Sequence, residues 1–262
     1  MDLRLDGKRA IVTGASEGIG HSVARLLAAE GCAVALVARR EDVLEERCRE
    51  IRDEFGIAAH PVAADLSTLT GCEEAADRAI AALGGLDILV NNAGSSLFAT
   101  FEDLPDERWL ADIELKLMGY VRMTRRALPE LRQSEEGRVI NVAGNSGKQP
   151  LTYHMSGAAA NIAVLNFTTS LAMQVAGDRI HVIAVNPGPV ATARFQKQVA
   201  TVAREQGISP EEARARFDAE TPLGRVPDPD DVAATIVFLA SPRAAGITGT
   251  SLTIDGGITR GI

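Results

Sequence analysis

Arg9-Ala10-Ile11-Val12-Thr13-Gly14-Ala15-Ser16-Glu17-Gly18-Ile19-Gly20 decides the fold of this chain. A short run of strand composition enters three spaced glycines, and an Ala- and Leu-rich stretch with apolar residues at helical spacing follows at once. Glycine suits such a loop because the backbone must turn tightly and approach a phosphate with no side chain between, while helix and strand pack closely behind it. The first N–H groups of the helix then face outward and favour an anion. The segment predicts a dinucleotide cradle formed by Gly14, Ser16, Glu17, Gly18, Ile19 and Gly20.

The same alternation continues along the chain. Residues 33–38, 58–63, 88–91, 138–142, 181–186 and 251–254 read as further strands, and 23–30, 43–55, 72–83, 110–131 and 158–176 as helices. Strands alternating with helices of this length predict a doubly wound α/β fold, a seven-stranded parallel sheet with helices on both faces and ligands at the carboxyl ends of the strands. No linker interrupts it, so residues 1–262 read as a single domain. Residues 193–220 are rich in charge and poor in strand signals, and read as a helical excursion able to close over a substrate. Its Arg194, Lys197, Arg204, Arg214 and Arg216 alternate with Glu205, Glu211, Glu212 and Asp218, the pattern of a salt-bridged surface helix.

Composition excludes several function classes. The 262 residues are 46% hydrophobic with a net charge of -8, and the acidic residues are dispersed, which argues against a nucleic-acid surface. Cys32, Cys48 and Cys72 lack metal-ligand spacing, so neither a metal site nor a disulfide framework is expected. With no membrane-spanning run and no signal-peptide pattern, the expected location is cytoplasmic.

The glycine spacing GxxxGxG resembles that of the short-chain dehydrogenase/reductase family, and later blocks repeat the resemblance in order. Asp65-Leu66 looks like the family's adenine-contacting pair, and Asn91-Asn92-Ala93-Gly94 like its NNAG segment. Asn186-Pro187-Gly188-Pro189-Val190-Ala191-Thr192 matches the PGxVxT segment beside the nicotinamide. Ile247-Thr248-Gly249-Thr250 and Ile254-Asp255-Gly256-Gly257 resemble the closing ITGxxxxxDGG. The resemblance implies a Rossmann-like fold and a cofactor site including Asn92, Ala93, Gly94, Pro187, Gly188, Val190 and Thr192. It also implies a small-molecule substrate and a homo-oligomer, tetramer or dimer, built through the helices starting near Leu110 and Ala158. Charge selects the cofactor: an acid after the second strand would accept from a ribose hydroxyl, whereas Arg39 and Arg40 suit a 2′-phosphate. NADP(H) is expected over NAD(H), with Arg39 the main contact.

The catalytic positions depart from that family. Its tetrad is a Ser, a Tyr thirteen residues later, a Lys four beyond the Tyr, and an Asn on the preceding long helix. Asn161-Ile162-Ala163-Val164-Leu165-Asn166-Phe167-Thr168 resembles the run that begins at the lysine. That register places Asn161 at the lysine position, Gly157 at the tyrosine, Gly144 at the serine and Lys116 at the asparagine. A register through Tyr153 puts Gly157 at the lysine and leaves Ser146 only seven residues ahead. In either register the usual Tyr-Lys pair is missing. One reading is an oxidoreductase with a rearranged proton-transfer site, in which Lys116 enters from the facing helix, Asn161 keeps a ribose contact, and Tyr153 or His154 supplies a proton. The others are an NADP(H)-binding protein without redox activity, and non-redox lyase or isomerase chemistry in the same pocket.

Overall fold

The computed structural model describes residues 1–95 and 98–260. Along the chain run β1 (Arg9–Thr13), α1 (Gly18–Ala29), β2 (Ala33–Ala38), α2 (Glu41–Phe55), β3 (Ala59–Ala63), α3 (Leu69–Leu83), β4 (Ile88–Asn91), α4 (Asp106–Asp112) and α5 (Gly119–Leu131). Then follow β5 (Gly137–Val142), α6 (Met155–Val175), β6 (Ile180–Pro187), α7 (Ala193–Gln206), α8 (Pro210–Glu220), α9 (Pro229–Ala240) and β7 (Ser251–Ile254). All seven strands are parallel, in the order β3-β2-β1-β4-β5-β6-β7. The order reverses between β1 and β4, and such a switch point opens a crevice at the carboxyl ends of the strands.

Strand alternation sends successive side chains to opposite faces. Ala10 and Val12 of β1 join Val23, Leu27, Val232 and Ile236 from α1 and α9, while Ile11 joins Ala75, Met123, Leu131 and Val175 from α3, α5 and α6. Cys32, Cys48 and Cys72 are buried free thiols. The excursion folds as α7 and α8 with a small core of its own around Phe195, Val199 and Ala213. Among the described residues no helix is long and apolar enough to cross a membrane.

One helix departs from its periodicity. Residues 110–131 read as one continuous helix, but the structure opens a π-helical turn over Ile113–Met118 between α4 and α5. Such a turn inserts extra residues into the ladder and re-aims the side chains it carries. Here it carries Lys116, and α5 restarts at Gly119, where an added Cβ would lie 2.9 Å from the carbonyl oxygen of Leu66.

Candidate active site

The crevice is a cleft of about 700 Å³ running across the carboxyl end of the sheet. Its phosphate end is built by backbone. Gly14 holds φ +66, and a Cβ there would meet the Cα of Ala93 at 2.9 Å. Behind it, a Cβ on Gly20 would fall 2.3 Å from the Gly14 carbonyl oxygen and 2.5 Å from Asn92 Nδ2, so α1 seats only with glycine at that position. Gly20 therefore departs from the expected lining role: it stands outside the cleft lining and supports the loop from the rear. Thr13 Oγ1 accepts from the backbone N–H of Asn92 (2.8 Å) and Ala93 (3.0 Å), and Asn92 Nδ2 donates to the Thr13 carbonyl (2.9 Å). These bonds lock the ends of β1 and β4 together. A buried chain from Asn91 to Thr124 and Asn141, and on to Thr168, ties β4, β5, α5 and α6 behind the site.

Ser16, Glu17, Gly18, Ile19, Arg39, Arg40, Asp65 and Leu66 all line this end, as do Ala93, Gly94, Pro187, Gly188, Val190 and Thr192 further along. Arg40 donates to Glu17 at 3.0 Å, whereas Arg39 makes no ion pair among the described residues. The Ser67 backbone N–H (3.0 Å) and hydroxyl (2.8 Å) hold the Asp65 carboxyl below its ordinary range, with the charge of Arg39 adding to them. Thr192 caps α7 by accepting from the Phe195 N–H at 3.3 Å. The residues fit a dinucleotide. Helix N–H groups and bare glycine backbone suit a pyrophosphate, Arg39 suits a terminal phosphate, and Asn161 Oδ1, a buried acceptor with no partner among the described residues, suits a ribose hydroxyl.

The far end is built by side chains. Lys116 is half-buried, and its Nζ donates to the Ala143 carbonyl at 2.7 Å. Gly94 makes room for its stem, since a Cβ there would lie 3.2 Å from Lys116 Cδ. Burial lowers the Lys116 ammonium to about 8, the charge of Arg194 pushes the same way, and Asp112 opposes both. Asp112 accepts from Ser156 Oγ at 2.6 Å and lies 3.8 Å from Arg108. Across the cleft, Asn161 Nδ2 donates to Ser146 Oγ at 2.8 Å, and His154 Nδ1 lies 3.0 Å from the same oxygen. The Asn161 amide occupies the space a serine would need at position 144: a Cβ on Gly144 would lie 2.7 Å from its Nδ2.

Lys116, His154 and Asn161 thus share this cleft, and Tyr153 does not. Tyr153 is 57% exposed and stands outside the lining, while its carbonyl accepts from the Ala99 N–H at 3.0 Å. The cause is local: α6 begins at Met155, so Tyr153 precedes the helix and is not carried one turn above Gly157. His154 is 8% exposed and stacks on Phe98 at 4.7 Å. Burial, reinforced by Arg194 and Lys116, lowers its imidazole to about 4. That shift favours the neutral imidazole near pH 7.

Sequence reasoning missed Ser146 and Asp112. The signal for Asp112 was its place four residues before Lys116. Ser146 carries no signal in the sequence beyond its place seven residues before Tyr153. In the excursion, Arg214 pairs with Asp218 (3.0 Å) and Arg216 with Glu212 (2.8 Å), as the charge pattern predicts. Arg194 instead borders the cleft.

Comparison with known proteins agrees with this architecture. The family described as "Enoyl-(Acyl carrier protein) reductase" matches residues 14–259. D-beta-hydroxybutyrate dehydrogenase of Cupriavidus necator is 36% identical over 254 residues, covering 97% of this chain and 98% of that protein. The NADPH-dependent reductase BacG of Bacillus subtilis is 31% identical, covering 97% and 99%. Among solved structures, L-sorbose reductase from Gluconobacter frateurii, complexed with NADPH and L-sorbose, superposes with a TM-score of 0.96 at 33% identity over 100% of both chains.

Proposed function

The chain belongs to the short-chain dehydrogenase/reductase family, and from that premise we propose that it is an NADP(H)-dependent oxidoreductase of carbonyl and alcohol substrates whose proton passes through Lys116. The observation that carries the reading is the place of Lys116: a half-buried amine on the cleft wall, fixed by the Ala143 carbonyl and lowered to about 8. A group that titrates near the working pH is suited both to give and to take a proton. When bound, the cofactor supplies the hydride.

The residues of the chain do the rest. The glycine loop and the α1 N-terminus hold the pyrophosphate, and Thr192 with Pro187, Gly188 and Val190 lines the nicotinamide end. Asn161 Oδ1 accepts from a ribose hydroxyl. Lys116 donates to the substrate oxygen as it gains charge in reduction, and recovers the proton from the alcohol in the reverse direction. NADP(H) is preferred over NAD(H) because Arg39 offers a guanidinium with no ion-pair partner among the described residues, while Glu17 neutralises Arg40. The relatives named as NADPH-dependent or solved with NADPH support that choice. Exposed Leu110, Ile162 and Met173 on α4 and α6 support a homo-oligomer formed through those helices.

The test follows NADPH oxidation with a panel of ketones, quinones and acyl-thioester carbonyls, in the wild type and in Lys116→Met. Turnover in the wild type and its collapse in the variant are expected. Equal turnover in both removes Lys116 from the proton path. NADPH binding with no carbonyl reduced leaves the binding-protein reading in its place.

A further inference from the structure

Ser146 lies in the 3₁₀ turn Asn145–Gly147 that follows β5, at the carboxyl edge of the sheet and on the cleft wall. It is only 4% exposed, and two side chains from α6 and its N-cap converge on its hydroxyl. Asn161 Nδ2 reaches Oγ at 2.8 Å and His154 Nδ1 at 3.0 Å. The turn is pressed onto α6: a Cβ on Gly147 would stand 3.0 Å from Asn161 Cβ. The His154 ring is held in turn by its stack on Phe98.

Hydrogen-bonding capacity then decides where the serine proton goes. A hydroxyl has two acceptor sites and one proton. An amide nitrogen only donates, so Asn161 fills one acceptor site. A neutral imidazole carries one ring proton, and in the tautomer that holds it on Nδ1 His154 donates to the other site. In that tautomer both lone pairs of Oγ are used, and the O–H points away from its two donors. We propose that His154 holds this tautomer and that Ser146 directs its proton at the substrate oxygen in the cleft, as a second donor beside Lys116, with Asn161 and His154 as the residues that position it. The inference rests on the carbonyl-reduction reading above. Donors fixed before reaction, aimed at an oxygen that gains negative charge, stabilise the transition state more than the ground state.

Two measurements on full-length protein test the assignment. In the first, Ser146→Ala lowers kcat for ketone reduction by about 100-fold, the usual cost of one such donor, while NADPH affinity is unchanged and shows that the protein is folded. Ser146→Thr restores most of the rate. His154→Phe lowers kcat severalfold in the wild-type background and has no effect in Ser146→Ala, because a positioning residue acts only through the group it positions. A His154→Phe effect of equal size in both backgrounds overturns its role, and wild-type kcat in Ser146→Ala overturns the whole assignment.

The second measurement needs no hydride transfer. Carbonyl-labelled acetophenone is bound together with NADP⁺, and its C=O stretch is read by infrared difference spectroscopy. The wild type shifts the band to lower frequency relative to Ser146→Ala; identical bands overturn the inference. A shifted band without turnover overturns the carbonyl-reduction reading but leaves the donor in place. Turnover with a band and a rate indifferent to Ser146 does the reverse. A wild type that neither binds nor reduces acetophenone overturns both.

Discussion

The two ends of the cleft are built from different materials. At the phosphate end, close backbone approach sets the shape, and glycine is required because a Cβ would collide with backbone: 2.3 Å from the Gly14 carbonyl at Gly20, 2.9 Å from the Ala93 Cα at Gly14. At the far end, the contacts are between side chains, Lys116 to the Ala143 carbonyl, Asn161 and His154 to Ser146, Ser156 to Asp112. A backbone site tolerates no substitution without losing its shape, whereas a side-chain site can exchange residue types between facing elements and keep a polar interior. Lysine on the helix before β5 and asparagine on the helix after it are the exchange we propose.

The largest effect should come from the side-chain end. Lys116→Met keeps the length of the stem and removes its charge, and kcat for carbonyl reduction should fall by about 10²–10⁴, the usual value of a positioned proton donor. NADPH affinity, measured by fluorescence titration, should hold. If affinity falls and kcat does not, the two ends are coupled and the contrast between them breaks.

Next in size is a change at the phosphate end. Arg39→Asp replaces the guanidinium by a charge that repels a 2′-phosphate and accepts from a 2′-hydroxyl. Loss of a charge-assisted bond is worth about 1.5–3 kcal/mol, so the NADPH-to-NADH affinity ratio should drop by about 10- to 100-fold at unchanged kcat. A wild type that already prefers NADH sinks the cofactor assignment. Arg40→Asp should move the ratio less, because Arg40 is already paired with Glu17.

The same contrast decides what was legible in the sequence. β1, β2, β4 and β7 stand where the apolar runs placed them, since buried parallel strands read as short apolar segments between turn residues. The glycine loop was legible because its spacing is itself the geometry. The π-helical turn was not, because 113–118 keeps helical periodicity in the sequence. Tyr153 lies outside the cleft because α6 begins at Met155, two residues beyond it, so the helix does not carry its ring over Gly157. Ser146 was hidden because its meaning lies in two partners, one eight and one fifteen residues away, that only the fold brings to one oxygen.

A smaller effect follows from pH. Lys116 is lowered from 10.5 to about 8 in the folded protein. The proposed reduction needs the ammonium, which is present below pH 8 and lost as pH rises through it. The reduction kcat should therefore fall about tenfold for each unit above 8, and alcohol oxidation should rise across the same window. The sign for stability runs the same way as for oxidation: between 8 and 10.5 the unfolded chain holds the proton that the folded chain has released, so stability rises with pH there. Lys116→Met should flatten both profiles. A reduction profile that stays flat through pH 8 in the wild type assigns the proton to another group.

The smallest effect tests where the side-chain site ends. Tyr153 carries a phenol, the group such chemistry commonly uses, and stands one residue from His154. Yet its ring is more than half exposed and outside the cleft lining. An exposed phenol is solvated by water in free protein and complex alike, so removing its hydroxyl changes no interaction made in the transition state. Tyr153→Phe should leave kcat, KM and the pH profile at their wild-type values. A drop in kcat with KM unchanged would mean that residues 151–154 swing inward when substrate binds, carrying His154 with them and breaking its contact with Ser146. The Tyr153→Phe variant therefore reports on whether the wall that holds Ser146 is as fixed as the glycine loop opposite.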